Sequence, residues 1–476
     1  MQFCHIAFVV SALLSTACSD VASPDVPPFK GEVVLRFEGE VPDGEERHFF
    51  LPFEVPPGVA EIEIRHDDLS ARNILDWGLD DPNGFRGWGG GKGDPAILGR
   101  EAASYSYLPG EIPAGIWEVV VGKALIEEHP ARYAVEVVLR ATPTLTPQPM
   151  RRPYLSSPAL ETGARWYSGD FHMHSLESDG SRSLEEVVAL AERRGLDFLM
   201  VSEHNTTSHL SFYADLQARH PGILLIPGIE VTTYAGHANA IGVNGFVEHR
   251  TGTRGAKIEE AIESVHRQGG LFSINHPQMN LGNLCIGCGW QHEVDPQTID
   301  AVEIRNAVFN GFDFWQELAA AGSHAAAIGG SDDHNAGTST SPISTAIGTP
   351  TTLVYARELS VAGLLAGLRE GRSVVQFHGP GGPMLVADLS GERLGDTVHA
   401  DRSTLSVEVI DAGATTLNVY RNGILFDRVV VEGSVFTYRS EVEAPSGGTE
   451  DRFHFEVVRA GDVLAVASHV WLRASR

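Results

Sequence analysis

Two histidines, His172 and His174, stand one residue apart in Gly169-Asp170-Phe171-His172-Met173-His174-Ser175. In extended backbone, residues i and i+2 point to the same face. A strand end here therefore presents both imidazoles to one point in space, which is what a metal ion asks of its first two ligands. Asp179, in the following Ser178-Asp179-Gly180 turn, is near enough to reach the same pocket. Taken alone, the pair could equally be polar surface histidines beside a loop. Similar residues recur downstream in Ser202-Glu203-His204-Asn205, Pro227-Gly228-Ile229-Glu230, Gly236-His237-Ala238-Asn239, Asn275-His276-Pro277 and Gly330-Ser331-Asp332-Asp333-His334. Each group has a bland reading as a turn cap, a loop or a satisfied polar side chain. Their joint placement after successive strands does not. So many imidazoles and carboxylates in one poorly hydrated pocket would leave repelling charge unless cations held them.

The positioning elements are legible between about Trp166 and His378. Residues 197–202, 223–226, 271–274 and 301–304 read as buried strands, with weaker candidates at 325–329 and 352–355. Between them, Ser183-Leu184-Glu185-Glu186 forms a capping box, and Leu184, Val187, Val188 and Ala191 mark one apolar helix face. Ile258, Ile262 and Val265 mark a second helix, and Leu359, Leu364 and Leu365 a third. Alternating strands and helices imply an α/β domain with a mostly parallel sheet, here closed as a barrel. In such a barrel the C-terminal strand ends open onto one face, so residues distant in sequence meet there.

The set His172-x-His174, Glu203-His204, Glu230, His276-Pro277 and Asp332-x-His334 resembles the polymerase and histidinol phosphatase (PHP) domain. Ser-Glu-His-Asn, Gly-His-Ala-Asn-Ala-Ile-Gly and Gly-Ser-Asp-Asp-His-Asn are most similar to its CehA/McbA-type metallohydrolases. The resemblance covers roughly residues 165 to 378. It implies a distorted seven-stranded β/α barrel with two or three divalent ions. It implies ligand roles for His172, His174, Asp179, His204, Glu230, His237, His276, Asp332 and His334, with Glu230 bridging. Glu203 would orient His204, and Asp333 would stand behind Asp332. Mixed imidazole and carboxylate ligands suit Zn, Mn or Fe.

The expected chemistry is metal-dependent hydrolysis through a metal-bridging hydroxide, on small phosphorylated substrates. His204 or His276 would deliver the leaving-group proton, and Asp332 belongs to the catalytic set. Arg305 and Arg182 are candidate phosphate-binding cations, with surface ion pairs as their plain alternative. A carbamate or related ester is an alternative substrate on the same site. An inactive surface binding or scaffold protein is a third reading, which the complete ligand set disfavours.

The flanks differ in texture. Residues 30–141 and 384–476 alternate apolar and polar residues between Gly and Pro turns, as small β-sandwiches do, the second immunoglobulin-like. A proline-rich linker occupies 142–163, ahead of the metallohydrolase domain at 164–378. Trp77, Trp88 and Trp117 read as core or as a groove lining. Gly-Trp-Gly-Gly-Gly-Lys at 87–92 reads as a flexible loop without the helix of a phosphate loop. Cys285-Ile286-Gly287-Cys288 reads as a local disulfide.

The 476 residues carry a net charge of -27, which excludes general binding of nucleic-acid polymers but not one small anionic ligand at a metal centre. Residues 1–18 read as a signal segment, with a possible lipid anchor at Cys18, and 19–29 as a tether. The expectation is an exported protein, a periplasmic or cell-envelope lipoprotein or a secreted one, with a small-molecule substrate and no transmembrane helix in the mature chain.

Overall fold

The computed structural model describes residues 29–446 and 448–475. The signal segment, Cys18 and the tether up to residue 28 lie outside the described residues. Ahead of the central segment, two four-stranded antiparallel sheets face each other. One joins Glu32–Glu40, Arg132–Arg140, Glu61–Asp67 and Ala96–Gly99; the other joins His48–Val55, Gly115–Leu125, Ile74–Asp81 and Gly84–Gly90. Strand alternation turns Trp117, Val119 and Val121 of one sheet toward Val135, Val137 and Leu139 of the other, and these form one core. Trp77 joins that core, whereas Trp88 does not.

The capping box at Ser183 and Glu186 starts the helix Leu184–Arg193, which buries Leu184, Val187, Val188 and Ala191. The helix Ile258–Arg267 also stands where its apolar periodicity places it, and Val361–Arg369 buries Leu364 and Leu365, whereas Leu359 ends the preceding strand Thr351–Leu359. The strands are less regular than a mostly parallel sheet. Glu161–Asp170, Phe198–Leu199 and Leu224–Leu225 pair in parallel, as do Leu271–Ile274, Ala301–Asn306 and Ala326–Gly330. Gly228–Thr233 and Gly236–Ile241 instead form an antiparallel hairpin that continues onto Leu271–Ile274. Only Tyr234 and Ala235 separate the hairpin strands, far too few residues for a parallel crossover. The hydrogen-bonded ladders therefore form two sheets of mixed direction. One buried cluster draws on both, with Tyr167, Phe198 and Leu224 from one sheet and Leu271, Ala301 and Ile328 from the other. The two sheets thus enclose a common interior.

The C-terminal strand Asp462–Arg473 pairs with Ser373–Gln376, so the larger sheet continues across the glycine- and proline-rich break at 379–383. Among the described residues no helix is long and apolar enough to cross a membrane.

The N-terminal sheets are docked against the central segment. Arg250 pairs with Asp80 at 2.6 Å, Phe85 stacks on Phe246 at 4.2 Å, and Lys92 Nζ donates to the Leu176 carbonyl at 2.9 Å. The Tyr234 hydroxyl, on the hairpin turn, donates to Asp76 at 2.6 Å. It fits because Gly122 lies beneath it; a Cβ there would strike that hydroxyl. Gly122→Ala is expected to cost about 1–3 kcal/mol by overpacking. Urea unfolding reads this, with Gly93→Ala, which meets nothing within 4 Å, as the neutral control.

Candidate metal centre

His172 and His174 follow the strand Glu161–Asp170 and flank Met173, which bridges in parallel to Asp333. Met173 between them is fully buried in the opposite layer, so alternation sends both imidazoles to one side. Glu230 lies mid-strand in the hairpin, opposite Asn239, and His237 lies across from Thr232. His204 follows Phe198–Leu199 and bridges to Glu230. His276 and Asp332 follow their strands with left-handed φ values of 27° and 52°. Such backbone costs on the order of 1 kcal/mol or more in a non-glycine residue, and it concentrates at functional sites.

Glu230 is the hub. Its two carboxylate oxygens face His172 Nε2 at 3.2 Å, His174 Nε2 at 3.6 Å, His204 Nδ1 at 2.8 Å, His237 Nδ1 at 3.5 Å and His276 Nε2 at 3.3 Å. Asp332 Oδ1 stands 3.3 Å from His172, 3.1 Å from His174 and 3.6 Å from His334. Asp179 Oδ1 stands 3.5 Å from His204 and 3.3 Å from His334. Two ligand atoms about 2.1 Å from a common ion lie roughly 3.0–3.4 Å apart, so most of these spacings suit edges of a coordination shell.

Three outer partners decide which ring nitrogens point inward. His172 Nδ1 meets Glu303 at 2.7 Å, His276 Nδ1 meets the Cys288 carbonyl at 3.1 Å, and His237 Nε2 meets the Ile286 carbonyl at 3.2 Å. Each acceptor requires the N–H on that nitrogen. In the neutral ring, the other nitrogen then carries its lone pair toward the oxygens of Glu230. Lone pair against carboxylate is repulsive, and His172 Nε2, His237 Nδ1 and Glu230 Oε2 are buried without a hydrogen-bond partner among the described residues. A cation between them removes the conflict, so these residues fit divalent metal ions. The candidate groupings are His172, Glu230 and His276; His172, His174 and Asp332; and His174, Asp179, His204 and His334.

Without a cation the charges must pair among themselves. Burial would lower the pKa of His204, but Asp179 and Glu230 outweigh it and raise the ring to about 9. His334 rises to about 10 for the same reason, against its burial, beside Asp179 and Asp332. His174 falls to about 3, by burial and by the charges of His204 and His334. Burial opposes ionisation of Glu230, but His172 and His204 hold it well below the usual range.

All nine residues read as ligands thus meet in one place. Asp179 joins His174, His204 and His334 although its side chain is half-exposed, and His237 meets the group through Glu230. The assigned partners of these ligands need correction. Glu203 does not orient His204; its carboxylate accepts from Ser175 N at 3.0 Å and from the Ser175 and Ser178 hydroxyls. It shapes the turn that presents Asp179, and burial lifts its pKa to about 7. Thr232 Oγ1 stands 2.6 Å from His204 Nδ1, the nitrogen that also faces Glu230. Asp333 turns away from the centre and holds the amides of Asn335, Gly337 and Ile347.

Both candidate arginines lie outside the cleft that opens over the centre. Arg182 pairs with Glu186 at 3.5 Å on the helix surface. Arg305 is turned away by an irregularity in its strand: the register shifts between Glu303 and Arg305, so Asn306 shares the inner face with Glu303 and donates to it at 3.0 Å. Arg305 bonds Asn310 instead.

The residue that sequence reasoning missed is Lys92. The run at 87–92 is not a loop hanging free; Trp88 through Lys92 line the cleft, with Lys92 held at the Leu176 carbonyl. Its glycines masked it as a linker. Cys285 and Cys288 form the expected disulfide, and the carbonyls of Ile286 and Cys288 in that loop are the acceptors for His237 and His276.

An α/β fold carrying a buried cluster of imidazoles and carboxylates under an open cleft defines the class of the site. No family model matches the chain. Over 65 residues it is 40% identical to the phosphoribosyl 1,2-cyclic phosphate 1,2-diphosphodiesterase of Eggerthella lenta. That stretch is 14% of this chain and 24% of the relative, so the chain matches about a quarter of the relative's length. Among solved structures it is similar to a two-domain protein from Bacteroides vulgatus containing a predicted PHP-like metal-dependent phosphoesterase, at 20% identity and a TM-score of 0.39, over 67% of this chain and 99% of that one. It is also similar to an amidohydrolase from Chromobacterium violaceum, at 18% identity and a TM-score of 0.26, over 37% and 93%.

Because His172 and His334 are held protonated near neutral pH in the metal-free protein, loading metal must displace protons. At pH 7.5 we expect release of on the order of two protons per chain. Titration calorimetry in buffers of different ionisation enthalpy measures this; zero net release would contradict the assignment.

Proposed function

We propose that the chain is a metal-dependent hydrolase of the phosphoesterase type, acting on small phosphorylated molecules with two or three divalent ions, Zn, Mn or Fe. The observation that carries this reading is the ring of imidazole nitrogens around buried Glu230, opening into a cleft of about 670 Å³. The 65-residue match to a protein named as a phosphodiesterase supports the choice of bond. The same reading carries the PHP-type architecture of a distorted seven-stranded barrel between two β-sandwiches, of CehA/McbA type.

Divalent ions held here would lower the pKa of bound water toward neutrality and polarise a phosphoryl oxygen. Lys92 supplies a point charge at the rim for an anionic oxygen. His204, with its side chain 23% exposed, is the imidazole placed to give a proton to the departing oxygen. His276 is held between Cys288 and Glu230 with its side chain 2% exposed, and it serves as a ligand. Asp332 fixes His174 and His334.

We further propose export and a lipid anchor at Cys18. The support is the apolar segment at residues 2–17 and the Cys285–Cys288 pairing, which belongs to an oxidising compartment.

The test offers residues 19–476, loaded with Mn or Zn, a panel of aryl phosphate mono- and diesters, nucleotides and aryl carbamates. Phosphate esters should turn over and chelator should stop them; cleavage of carbamates alone would contradict the reading. Loss of an outer partner already costs roughly 10–100-fold in metal affinity or activity. His174→Ala and Asp332→Ala should therefore lower kcat/KM by at least about 100-fold, with the circular dichroism spectrum unchanged.

A further inference from the structure

The cleft has an outer half that the metal centre does not use. Trp88 and Ile74 of the N-terminal sheets stand in one wall, and Tyr234, Met279 and Leu284 of the central segment contribute to the rest. Leu284 is 86% exposed, an apolar side chain left at the mouth with nothing covering it. Gly89, Gly90 and Gly91 add main chain without side chains, which leaves a surface a flat ring can approach closely. The lining of the cleft exposes more apolar than polar surface. His48 Nδ1 is engaged with Thr253 at 3.0 Å. Asp76 has one carboxylate oxygen that accepts from Tyr234 at 2.6 Å, while the other takes no hydrogen bond from any described residue; both ring nitrogens of His249, in the same lining, are also without a partner among the described residues. Asp76 and His204 line the same cleft.

We propose that Trp88, Tyr234, Leu284 and Asp76 form a leaving-group subsite for a flat aromatic alcohol that carries a cationic or hydrogen-bond-donating nitrogen. The apolar walls take the ring, and Asp76 takes the donor. A sugar leaving group would set its several hydroxyls against a lining that exposes more apolar than polar surface, and each hydroxyl left unpaired there carries a cost. An aromatic ring with one donor matches both the composition and the single free carboxylate oxygen. This inference deepens the phosphoesterase reading and names its substrate class; the phosphoryl group would lie over the metal centre beside Lys92.

The probes are tyramine and 4-ethylphenol, near-isosteres that differ in the ammonium group. Binding of each to metal-loaded residues 19–476 is measured by titration calorimetry. Tyramine should bind at least about tenfold more tightly, the range of a charge-assisted hydrogen bond. Asp76→Asn should erase that preference while leaving 4-ethylphenol binding intact. Trp88→Leu should weaken both; because Trp88 is largely buried, its fold is checked by circular dichroism, and Asp76→Asn carries the test if it fails. The same pair is then compared as phosphate esters, where the preference should lie in KM rather than kcat. Equal binding of the two probes, or a preference that survives Asp76→Asn, would overturn the subsite. An Asp76-dependent preference without turnover of any phosphate ester would uphold the subsite and remove the phosphoesterase reading instead. Phosphate ester turnover without any preference would remove the subsite alone.

Discussion

A single buried carboxylate, Glu230, organises the centre. Five imidazoles approach it, and three of those rings have their N–H already committed to Glu303, Cys288 or Ile286 on the far side. A carboxylate only accepts, so it can satisfy none of the lone pairs turned toward it. The ring is stable only with added positive charge, whether from protons on some imidazoles or from metal ions. The strained backbone at His276 and Asp332 serves the same end, since both side chains must turn back toward one point. Centre and fold are coupled here: the hairpin that carries Glu230 and His237 also pairs with Leu271–Ile274, which leads into His276.

The hairpin turn extends this coupling outward. Tyr234 lies between Glu230 and His237 in sequence and reaches into the N-terminal sheets, where Gly122 makes room for it. The N-terminal sheets thus contribute Asp76, Trp88 and Lys92 to the cleft. The disulfide loop closes the other side and supplies two of the carbonyls that set ring orientation. A metal centre buried in the central segment therefore depends on residues from outside it for its walls and for its charge.

The cluster was legible because all its members but Asp179 sit on or beside strands, and because imidazoles and carboxylates in such a pattern have few other uses. His172 and His174 needed only the alternation of extended backbone. The helix at Leu184–Arg193 needed only its capping box. What was not legible depended on register and long-range docking. The shift between Glu303 and Arg305 exchanges Arg305 for Asn306 on the inner face, and no local pattern announces it. Glu203 looked like a partner of His204 because it precedes it, whereas the backbone turns it toward Ser175 and Ser178. Lys92 lies 80 residues ahead of His172 in a run of glycines, and only the packing of the N-terminal sheets brings it to the cleft. The antiparallel hairpin also escaped a reading built on strand–helix alternation.

The most direct test is a count of ions. Residues 19–476 would be loaded separately with Zn, Mn and Fe, passed through gel filtration, and measured by elemental mass spectrometry beside Glu230→Gln. Two or three ions per chain, lost or sharply reduced in the variant, is the predicted result. A wild-type chain that emerges without bound metal under all three loadings would contradict the account.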